Sequence, residues 1–567
     1  MVRHIMPAPT PLTQCDPPTL DWSRPGTPAA KDFGDIYFST DGGLDEARIV
    51  FLQGCDLPNA WQNKRVFTVG ELGFGSGLNF LATCQMWEAT KPKGGRLHFV
   101  SIEKFPFDQE QLARALSAWP ELSVFADQLI NAWPGRVRGL HRLHFGDVTL
   151  TLIHDDIEAG LGAINGLVDA WFLDGFSPSR NPDMWSASVM QLIAQRSAAA
   201  ARLATFTVAG AVRIALKDAG FTPQKMPGFG RKRERLEAVY QGPKNPTQHT
   251  EFHQPLIIGA GIAGASLARA FMRRGVLPRM ISRGMETAAS ANAAALIKPR
   301  LDLQDRPESR FFLASYLYAL QAYQDSGGII AKGVTHLPKS DADRIRFEKL
   351  VTQAPLSPEH LDLAGGALLL GSSLVIDPDV IRHNWLNGIE IEEREVNSLS
   401  DLDHDGPIIV AAGFGVKELV SNTDLGLRYS RGQLTWAKGE LASPVTYGGY
   451  ALPLDNKLLL GATHGRLSDG DPYAPTVEDD KSNLENYRKH VGQDIQPVAI
   501  PSRTSVRVTT ADTLPLLDEL DHGTWLLSGL GSRGFVFAPL LAEALVSRIC
   551  GESSPIDPQV WARFGRR

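Results

Sequence analysis

The sequence predicts an α/β protein built from two Rossmann-like folds in series, and three observations support this prediction. An apolar strand at residues 256–258 runs into the pattern G-x-G-x-x-G and then into an alanine-rich helix, near the middle of a 567-residue chain. A second buried strand, at residues 65–69, runs into another glycine-rich loop. A polar, turn-rich stretch between them predicts a linker over 243–254, so the two domains span 1–242 and 255–567.

The composition is that of an ordinary globular protein, with 43% hydrophobic and 21% charged residues. Because the net charge is −6, a nucleic-acid partner would need a local basic patch. The four cysteines form no C-x-x-C pair, which argues against a disulfide framework and a bound metal and favours a reducing compartment. We find no signal-peptide pattern and no apolar run of about eighteen residues, so we expect a cytoplasmic protein without a membrane span.

The first glycine-rich loop has the pattern E-x-G-x-G-x-G. Glycines at alternate positions open a loop against which an adenosyl group and a short charged tail can lie, as in S-adenosylmethionine, whereas a dinucleotide fold spaces its glycines for a diphosphate. A turn without a ligand, or a nucleotide fold of another kind, stays open on this observation alone. The candidate cofactor residues in the loop are Glu71, Gly73, Gly75 and Gly77.

Acidic residues follow the next two predicted strands. The strand at 97–103 ends in Glu103, which can accept hydrogen bonds from both hydroxyls of a ribose. The strand at 149–154 is followed by two aspartates, of which we favour Asp156 for the adenine amino group. A solvated carboxylate at a strand end is the alternative for Glu103.

The strand at 168–173 delivers a carboxylate and an aromatic ring, Asp174 and Phe176, to the carboxyl edge of the predicted sheet. In an amine methyltransferase, an acid near the acceptor nitrogen can take or orient its proton while positioning does most of the work. We therefore take both residues as candidate catalytic residues. Asp174 could instead cap the next helix, and Phe176 could belong to the core.

A basic loop at residues 228–235 closes the first domain. Its glycines and clustered cations could bind phosphate groups. Most runs of charge are solvated surface, which is the alternative here. The candidate substrate-binding residues in this loop are Arg231, Lys232 and Arg233.

The fingerprint of the second domain places Gly259, Gly261 and Gly264 where a pyrophosphate can approach the start of a helix. The strand at 279–282 is not followed directly by the acid that usually binds ribose in such folds. Glu286 or a hydroxyl group substitutes for it, or cofactor binding is weakened or lost.

The segment 289–299 resembles the flavin-approaching segment of the D-amino-acid-oxidase class, and this resemblance implies FAD. Lys298 within it could tune a flavin or lie at the surface. A strand followed by small residues at 406–415 is predicted to belong to the nucleotide-binding fold. A glycine-rich turn before the last long helix is suited to bind the pyrimidine edge of a flavin. The further candidate FAD-binding residues are Ser290, Asn292, Gly413, Gly529, Gly531, Arg533 and Gly534.

An α+β substrate subdomain is expected within the second domain. Two arginines, Arg431 and Arg507, are candidates for a substrate carboxylate, and we favour Arg507 for bidentate binding. A structural salt bridge is as reasonable for Arg431. The nucleotide-binding parts are predicted at about 255–300, 375–430 and 500–567, and the substrate subdomain at about 301–374 and 431–499.

Four stretches of the first domain resemble the methyltransferase half of the MnmC family, which consists of bifunctional tRNA-modification enzymes. The second domain is similar to the FAD-dependent half of the same family, in the same order along the chain. The stretches are "ELGFGSGLNF", "LDGFSPSRNPDMW", "VRIALKDAGF" and "GFGRKRERL".

The resemblance implies two consecutive reactions on the wobble uridine of tRNA. An FAD-dependent reaction removes the carboxymethyl group of 5-carboxymethylaminomethyl-uridine as glyoxylate, and an S-adenosylmethionine-dependent reaction then methylates the aminomethyl group. We expect a monomer with tRNA as its partner. Two alternatives remain: a flavin amine or amino-acid oxidase fused to a small-molecule N-methyltransferase, and a methyltransferase whose second half is an inactive RNA-docking module.

Overall fold

The computed structural model describes residues 10–24, 27–39, 42–230, 232–243, 253–420, 424–467, 470–521 and 523–566. These residues form two compact units. The N-terminal unit takes its residues from 14–250 and 547–558, and the C-terminal unit from 1–13, 251–546 and 559–567. No helix in the described part of the chain is both long enough and apolar enough to cross a membrane.

The N-terminal unit is organised around an eight-stranded sheet of order β10-β11-β9-β8-β4-β5-β7-β6. Its strands and those of a small three-stranded sheet are β1 (Leu20–Arg24), β2 (Thr27–Ala30), β3 (Asp35–Ile36), β4 (Val66–Leu72), β5 (Arg96–Glu103), β6 (Gly139–Phe145), β7 (Val148–His154), β8 (Val168–Leu173), β9 (Ser197–Thr205), β10 (Phe221–Pro227) and β11 (Glu234–Tyr240). Strands β9, β8, β4, β5 and β7 run parallel, so their carboxyl ends meet at one edge.

Helices cover both faces of this sheet, as buried parallel strands require. Strand β4 is almost wholly buried, and its Gly70 leaves room for the indole of Trp171 on β8, since a Cβ there would lie 2.5 Å from that ring. The helices are α1 (Gly43–Glu46), a π-helical segment (Ala47–Gln53), α2 (Leu78–Thr90), α3 (Gln109–Leu116), α4 (Ser123–Asn131), α5 (Ile157–Ala163), α6 (Ala187–Gln195) and α7 (Gly210–Asp218), with 3₁₀ turns at Asn59–Trp61, Pro120–Leu122 and Pro182–Trp185.

The C-terminal unit contains a six-stranded sheet of order β18-β13-β12-β19-β28-β27 and an eleven-stranded, mixed sheet. The first five strands of the smaller sheet run parallel, as a dinucleotide-binding fold requires. The strands of both sheets are β12 (Leu256–Ile258), β13 (Arg279–Ser282), β14 (Ala295–Ile297), β15 (Ile329–His336), β16 (Asp362–Ala364), β17 (Ala367–Ile376), β18 (Ile391–Glu393), β19 (Ile408–Val410), β20 (Leu427–Lys438), β21 (Val445–Thr446), β22 (Tyr450–Leu454), β23 (Lys457–Gly461), β24 (Gly465–Arg466), β25 (Gln496–Pro497), β26 (Arg503–Thr510), β27 (Leu516–Asp521) and β28 (Thr524–Ser528).

The first and last long helices of the C-terminal unit are tied by a fully buried ion pair, in which Arg274 Nη2 lies 2.7 Å from Glu543 Oε1. This pair fixes the helix that follows the fingerprint glycines. The helices are α8 (Ile262–Met272), α9 (Pro307–Gln324), α10 (Asp341–Gln353), α11 (Pro378–Trp385), α12 (Val416–Leu419), α13 (Val477–Val491), α14 (Gly534–Ile549) and α15 (Pro558–Trp561), with 3₁₀ turns at Ala289–Ala291, Leu399–Asp401, Gly413–Gly415 and Gly531–Arg533.

Candidate active sites

The carboxyl ends of β4, β5 and β8 face a cavity of about 1070 Å³ in the N-terminal unit. Gly73 and Gly75 line it with φ angles of 88° and 54°, and Gly77, at 76°, forms the N-cap of α2. A Cβ on Gly73 would lie 2.2 Å from the carbonyl oxygen of Asp174. Glycine at this position therefore allows the loop to approach the residue after β8 this closely.

Glu103, at the end of β5, lines the same cavity and binds the glycine loop. The backbone N–H of Gly75 donates to its Oε2 at 2.9 Å, and that of Phe105 donates to its Oε1 at 2.8 Å. Burial raises the pKa of this carboxyl, and the backbone hydrogen bonds act in the opposite direction. Its carboxylate is thus held beside the loop, which is compatible with the ribose role predicted for it.

The buried amide of Asn79, on the first turn of α2, joins two carboxyl groups. Its Nδ2 donates to Glu71 Oε1 at 3.0 Å and to Asp174 Oδ2 at 2.7 Å. Asp174 lines the cavity, whereas Glu71 lies behind it and accepts a further hydrogen bond from Ser101 Oγ at 2.7 Å. Burial raises the pKa of Asp174 to about 7 and that of Glu71 well above its usual range. Asn79 is not among the residues predicted from the sequence, although it lies within the stretch "ELGFGSGLNF".

Aromatic rings form one wall of this cavity. Phe176 stacks on Phe33, with ring centroids 4.5 Å apart and an interplanar angle of 22°, and it meets the edge of Tyr37 at 5.4 Å. All three residues line the cavity. Phe176 is therefore neither isolated nor part of the deep core, and it lies beside Asp174 on an apolar surface that can receive a flat ring.

The remaining predicted residues of the first domain have different surroundings. Asp156 lines the cavity, but its Oδ1 accepts the N–H of Ala159 and so caps α5. Lys232 also lines the cavity; its Nζ lies 3.0 Å from Glu46 Oε1 and 4.1 Å from the ring centroid of Phe206. Arg233 is exposed and outside the cavity lining, and Arg231 lies outside the described residues.

The fingerprint loop of the C-terminal unit faces a cavity of about 660 Å³. Gly259, with φ of 108°, and Gly261 line it, whereas Gly264 packs inward, where a Cβ would lie 1.8 Å from the carbonyl oxygen of Gly259. The hydroxyl of Ser290 accepts the backbone N–H of Ile262 at 3.0 Å. Ser290 therefore caps the first N–H of α8, beside the fingerprint glycines that line the cavity.

A charged pair lines the cavity near the end of β13, where the strand-end acid is missing. Ser282, at the end of β13, lines the cavity, and Arg283 follows it. Arg283 Nη1 lies 3.4 Å from Glu395 Oε1, and both side chains line the cavity. Glu286, considered above as a substitute, does not line it.

The other predicted flavin residues surround this cavity. Asn292 lines it and accepts a hydrogen bond from Arg503 Nε at 3.2 Å through its side-chain oxygen. Burial lowers the pKa of Arg533, and nearby Arg300 adds to this effect. The further predicted residues that line the cavity are Ser290, Gly413, Gly529, Gly531, Arg533 and Gly534.

The two predicted carboxylate-binding arginines differ in position. Arg507 lines the cavity, donates to the carbonyl oxygen of Thr463 at 3.0 Å, and has its pKa lowered by burial. Arg431 does not line the cavity, because its guanidinium pairs with the carboxylate of Asp479. Lys298 does line it.

Comparisons with known proteins cover nearly the whole chain. Residues 120–241 match a family described as S-adenosyl-L-methionine-dependent methyltransferase, and residues 256–548 match FAD dependent oxidoreductase. The chain is 41% identical to the tRNA 5-methylaminomethyl-2-thiouridine biosynthesis bifunctional protein MnmC of Maricaulis maris (strain MCS10), over 95% of this chain and 93% of that protein. It is 40% identical to the protein of the same name from Caulobacter vibrioides (strain ATCC 19089 / CIP 103742 / CB 15), over 97% of each.

The chain belongs to the MnmC family. This membership confirms the resemblance drawn from the sequence, the α/β fold class, and a methyltransferase half followed by an FAD-dependent oxidoreductase half. As an MnmC chain it uses S-adenosylmethionine and FAD. The fusion of an amine oxidase with a small-molecule methyltransferase is not supported. Within the described residues, no group of three or more His, Cys, Asp or Glu side chains is arranged to hold a metal ion.

Proposed function

We propose that this chain acts on the wobble uridine of tRNA in two steps: oxidative removal of the carboxymethyl group of 5-carboxymethylaminomethyl-uridine, then methylation of the aminomethyl group. The observation that carries the proposal is that one chain contains two cavities, each lined by a glycine-rich loop. The names of the relatives, which specify 5-methylaminomethyl-2-thiouridine biosynthesis, support a methylated aminomethyl group as the final product.

In the C-terminal cavity, Gly259 and Gly261 at the start of α8 would hold the FAD pyrophosphate. Bound FAD supplies the acceptor for a hydride from the carbon next to the substrate nitrogen. Arg507 would hold the substrate carboxylate and so fix which carbon is presented. Water then hydrolyses the substrate imine, which releases glyoxylate and leaves the aminomethyl group.

In the N-terminal cavity, the loop of Gly73 and Gly75 and the carboxylate of Glu103 would hold S-adenosylmethionine, which supplies the methyl group. Asp174 would accept the proton of the substrate ammonium so that the nitrogen has a free electron pair. The stacked rings of Phe176 and Phe33 would receive the extruded uracil ring, since stacking on aromatic side chains is a common way to bind a flipped base.

Asp174→Asn and Gly261→Val separate the two activities. With full-length protein and tRNA carrying 5-carboxymethylaminomethyl-uridine, we expect Asp174→Asn to accumulate the aminomethyl nucleoside. We expect Gly261→Val to lack flavin absorbance and leave this substrate unchanged, yet to methylate tRNA that already carries the aminomethyl group. Nucleoside analysis by mass spectrometry checks both, and loss of both activities in either folded variant would contradict the proposal.

Two controls address the alternatives left by the sequence. Methylation of free small amines at the rate seen with tRNA would favour a small-molecule methyltransferase. A colourless protein that FAD cannot reconstitute would favour a docking role for the second half. We further propose that the protein acts as a monomer in the cytoplasm; light scattering of the purified protein tests the monomer.

A further inference from the structure

We propose that Asn79 is a positioning residue for methyl transfer: it orients Asp174 and holds it as the carboxyl that ionises, while the buried neighbour Glu71 keeps its proton. The inference rests on the proposed function and adds a residue to it. It starts from the geometry of one amide: both hydrogens of Asn79 Nδ2 are used, one on Glu71 Oε1 at 3.0 Å and one on Asp174 Oδ2 at 2.7 Å.

The two carboxyl groups have unequal surroundings. Glu71 is 1% exposed, and the charged groups that face it are the carboxyls of Asp174 and Glu103, both of which disfavour its ionisation. Ser101 Oγ donates to its Oε2 at 2.7 Å, which with the bond from Asn79 acts against protonation, but burial is the larger effect. A second negative charge this close to Asp174 would be costly in a buried site, so Glu71 keeps the proton.

Asp174 differs because it opens onto the cavity and faces a cation. Lys232 favours its ionisation, and the carboxyls of Glu46 and Asp35 oppose it. Since Lys232 is itself paired with Glu46 at 3.0 Å, the hydrogen bond from Asn79 is the closest stabilising contact of the ionised form. Asn79 therefore both orients Oδ2 and holds the carboxylate in its ionised form.

The proton then has a defined path. It leaves the ammonium nitrogen of the substrate, binds an oxygen of Asp174 and passes to solvent through the cavity, while Glu71 neither gains nor loses one. Asn79 also lines the cavity, but both of its amide hydrogens are used by the two carboxyl groups, so it acts through Asp174.

The test is the pH profile of methyl transfer by full-length protein, with tRNA carrying the aminomethyl group. Asn79→Ala removes the donor, so the acid limb of kcat/KM moves up by about one pH unit; the rate falls about tenfold at pH 6.5 and less than threefold at pH 9. Thr83→Val is the matched control, since Thr83 Oγ1 donates to the backbone oxygen of Asn79 and touches neither carboxyl. Its acid limb stays at the wild-type position.

Glu71→Gln provides a second readout if Asn79→Ala does not fold. Gln is the neutral isostere of a protonated Glu, so the acid limb stays within about 0.3 pH units of wild type, whatever the effect on cofactor affinity. A limb that moves down by a unit or more shows that Glu71 is ionised and overturns the inference, as does an unchanged limb in folded Asn79→Ala. A wild-type protein that does not methylate tRNA overturns the proposed function instead.

Discussion

The α-carbon of Gly73 lies against the carbonyl oxygen of Asp174, so closely that a Cβ would sit 2.2 Å from that oxygen. The same loop binds Glu103 through the N–H of Gly75 at 2.9 Å. The loop after β4 thus positions the residues at the ends of β5 and β8 at once. A change in this loop should affect both the cofactor site and the carboxyl proposed to accept the substrate proton.

Gly73→Ala is expected to reduce methyl transfer at least tenfold and to weaken binding of S-adenosylhomocysteine to the full-length protein. The added methyl group meets backbone, which cannot move aside cheaply, at a φ of 88°. Calorimetric titration measures the affinity. Gly94→Ala is the control, because Gly94 also has a positive φ, of 68°, but a Cβ added there would have nothing within 4 Å. Equal losses in both variants would show that backbone strain, not the contact with Asp174, is the cause.

Asp174→Asn is expected to stabilise the protein at pH 8 but not at pH 4. Burial raises the folded-state pKa of Asp174 from 3.8 to about 7. Between these two values the unfolded chain releases the proton and the folded protein keeps it, so the free energy of unfolding falls as the pH rises through this interval. Asparagine does not ionise and avoids this loss, worth about 1–3 kcal/mol. Differential scanning calorimetry should show a Tm about 2–6 °C higher at pH 8. The exposed Asp127→Asn serves as control, and a gain that does not depend on pH would contradict the assignment.

The strand ends of the first domain could be predicted because parallel strands bring their carboxyl ends to one edge of a sheet. Glu103, Asp156 and Asp174 all line one cavity for that reason. Asn79 could not be predicted in the same way. Its role depends on two hydrogen bonds, from α2 to Glu71 on β4 and to Asp174 after β8. A single asparagine at the start of a helix does not indicate such contacts.

The different positions of the Arg431 and Arg507 side chains illustrate a second limit of prediction from the sequence. In the antiparallel ladder of β20 and β26, Arg507 pairs with Ser430, and Arg431 pairs with Val506. Paired residues share a face and successive residues alternate, so the two arginines point to opposite faces. The register of a ladder cannot be read from either strand alone, and a shift of β26 by one residue would place both arginines on the same face.

Arg507→Lys is therefore expected to raise the KM for the carboxymethylaminomethyl substrate at least tenfold while the flavin spectrum is retained. Lysine keeps the charge but not the bidentate geometry. Arg431→Lys should leave this KM within about twofold and lower the Tm, because it disturbs the pair with Asp479. Anaerobic flavin reduction at varied substrate concentration measures the first effect. The reverse pattern would assign the carboxylate to Arg431.

Glu395→Gln is expected to weaken FAD binding about tenfold, because Glu395 lines the cavity beside Arg283, where the strand-end acid is missing. Glu286→Gln should leave the affinity unchanged, because Glu286 does not line the cavity. Fluorescence titration of the apoprotein with FAD gives both constants. Equal affinities for Glu395→Gln and wild type would leave the hydroxyl of Ser282 as the ribose partner.

Lys298 is expected to make anion binding in the C-terminal cavity depend on pH. Burial and the neighbouring cations Arg533, Arg346 and Lys339 lower its pKa to about 8, so its charge is lost as the pH rises through 8. His336 lines the same cavity, but burial lowers its pKa to about 4, and it stays neutral throughout this range.

Titration of the FAD-loaded protein with acetate, followed by flavin absorbance, measures this dependence. The wild-type Kd should rise about tenfold between pH 7 and pH 9 as Lys298 loses its charge, whereas Lys298→Met should bind more weakly at pH 7 and change less than threefold. Lys349→Met is the control, since Lys349 is exposed on α10 and outside the cavity lining. If Lys298→Met kept the wild-type dependence, another group would titrate near pH 8, and Lys298 would not contribute to carboxylate binding.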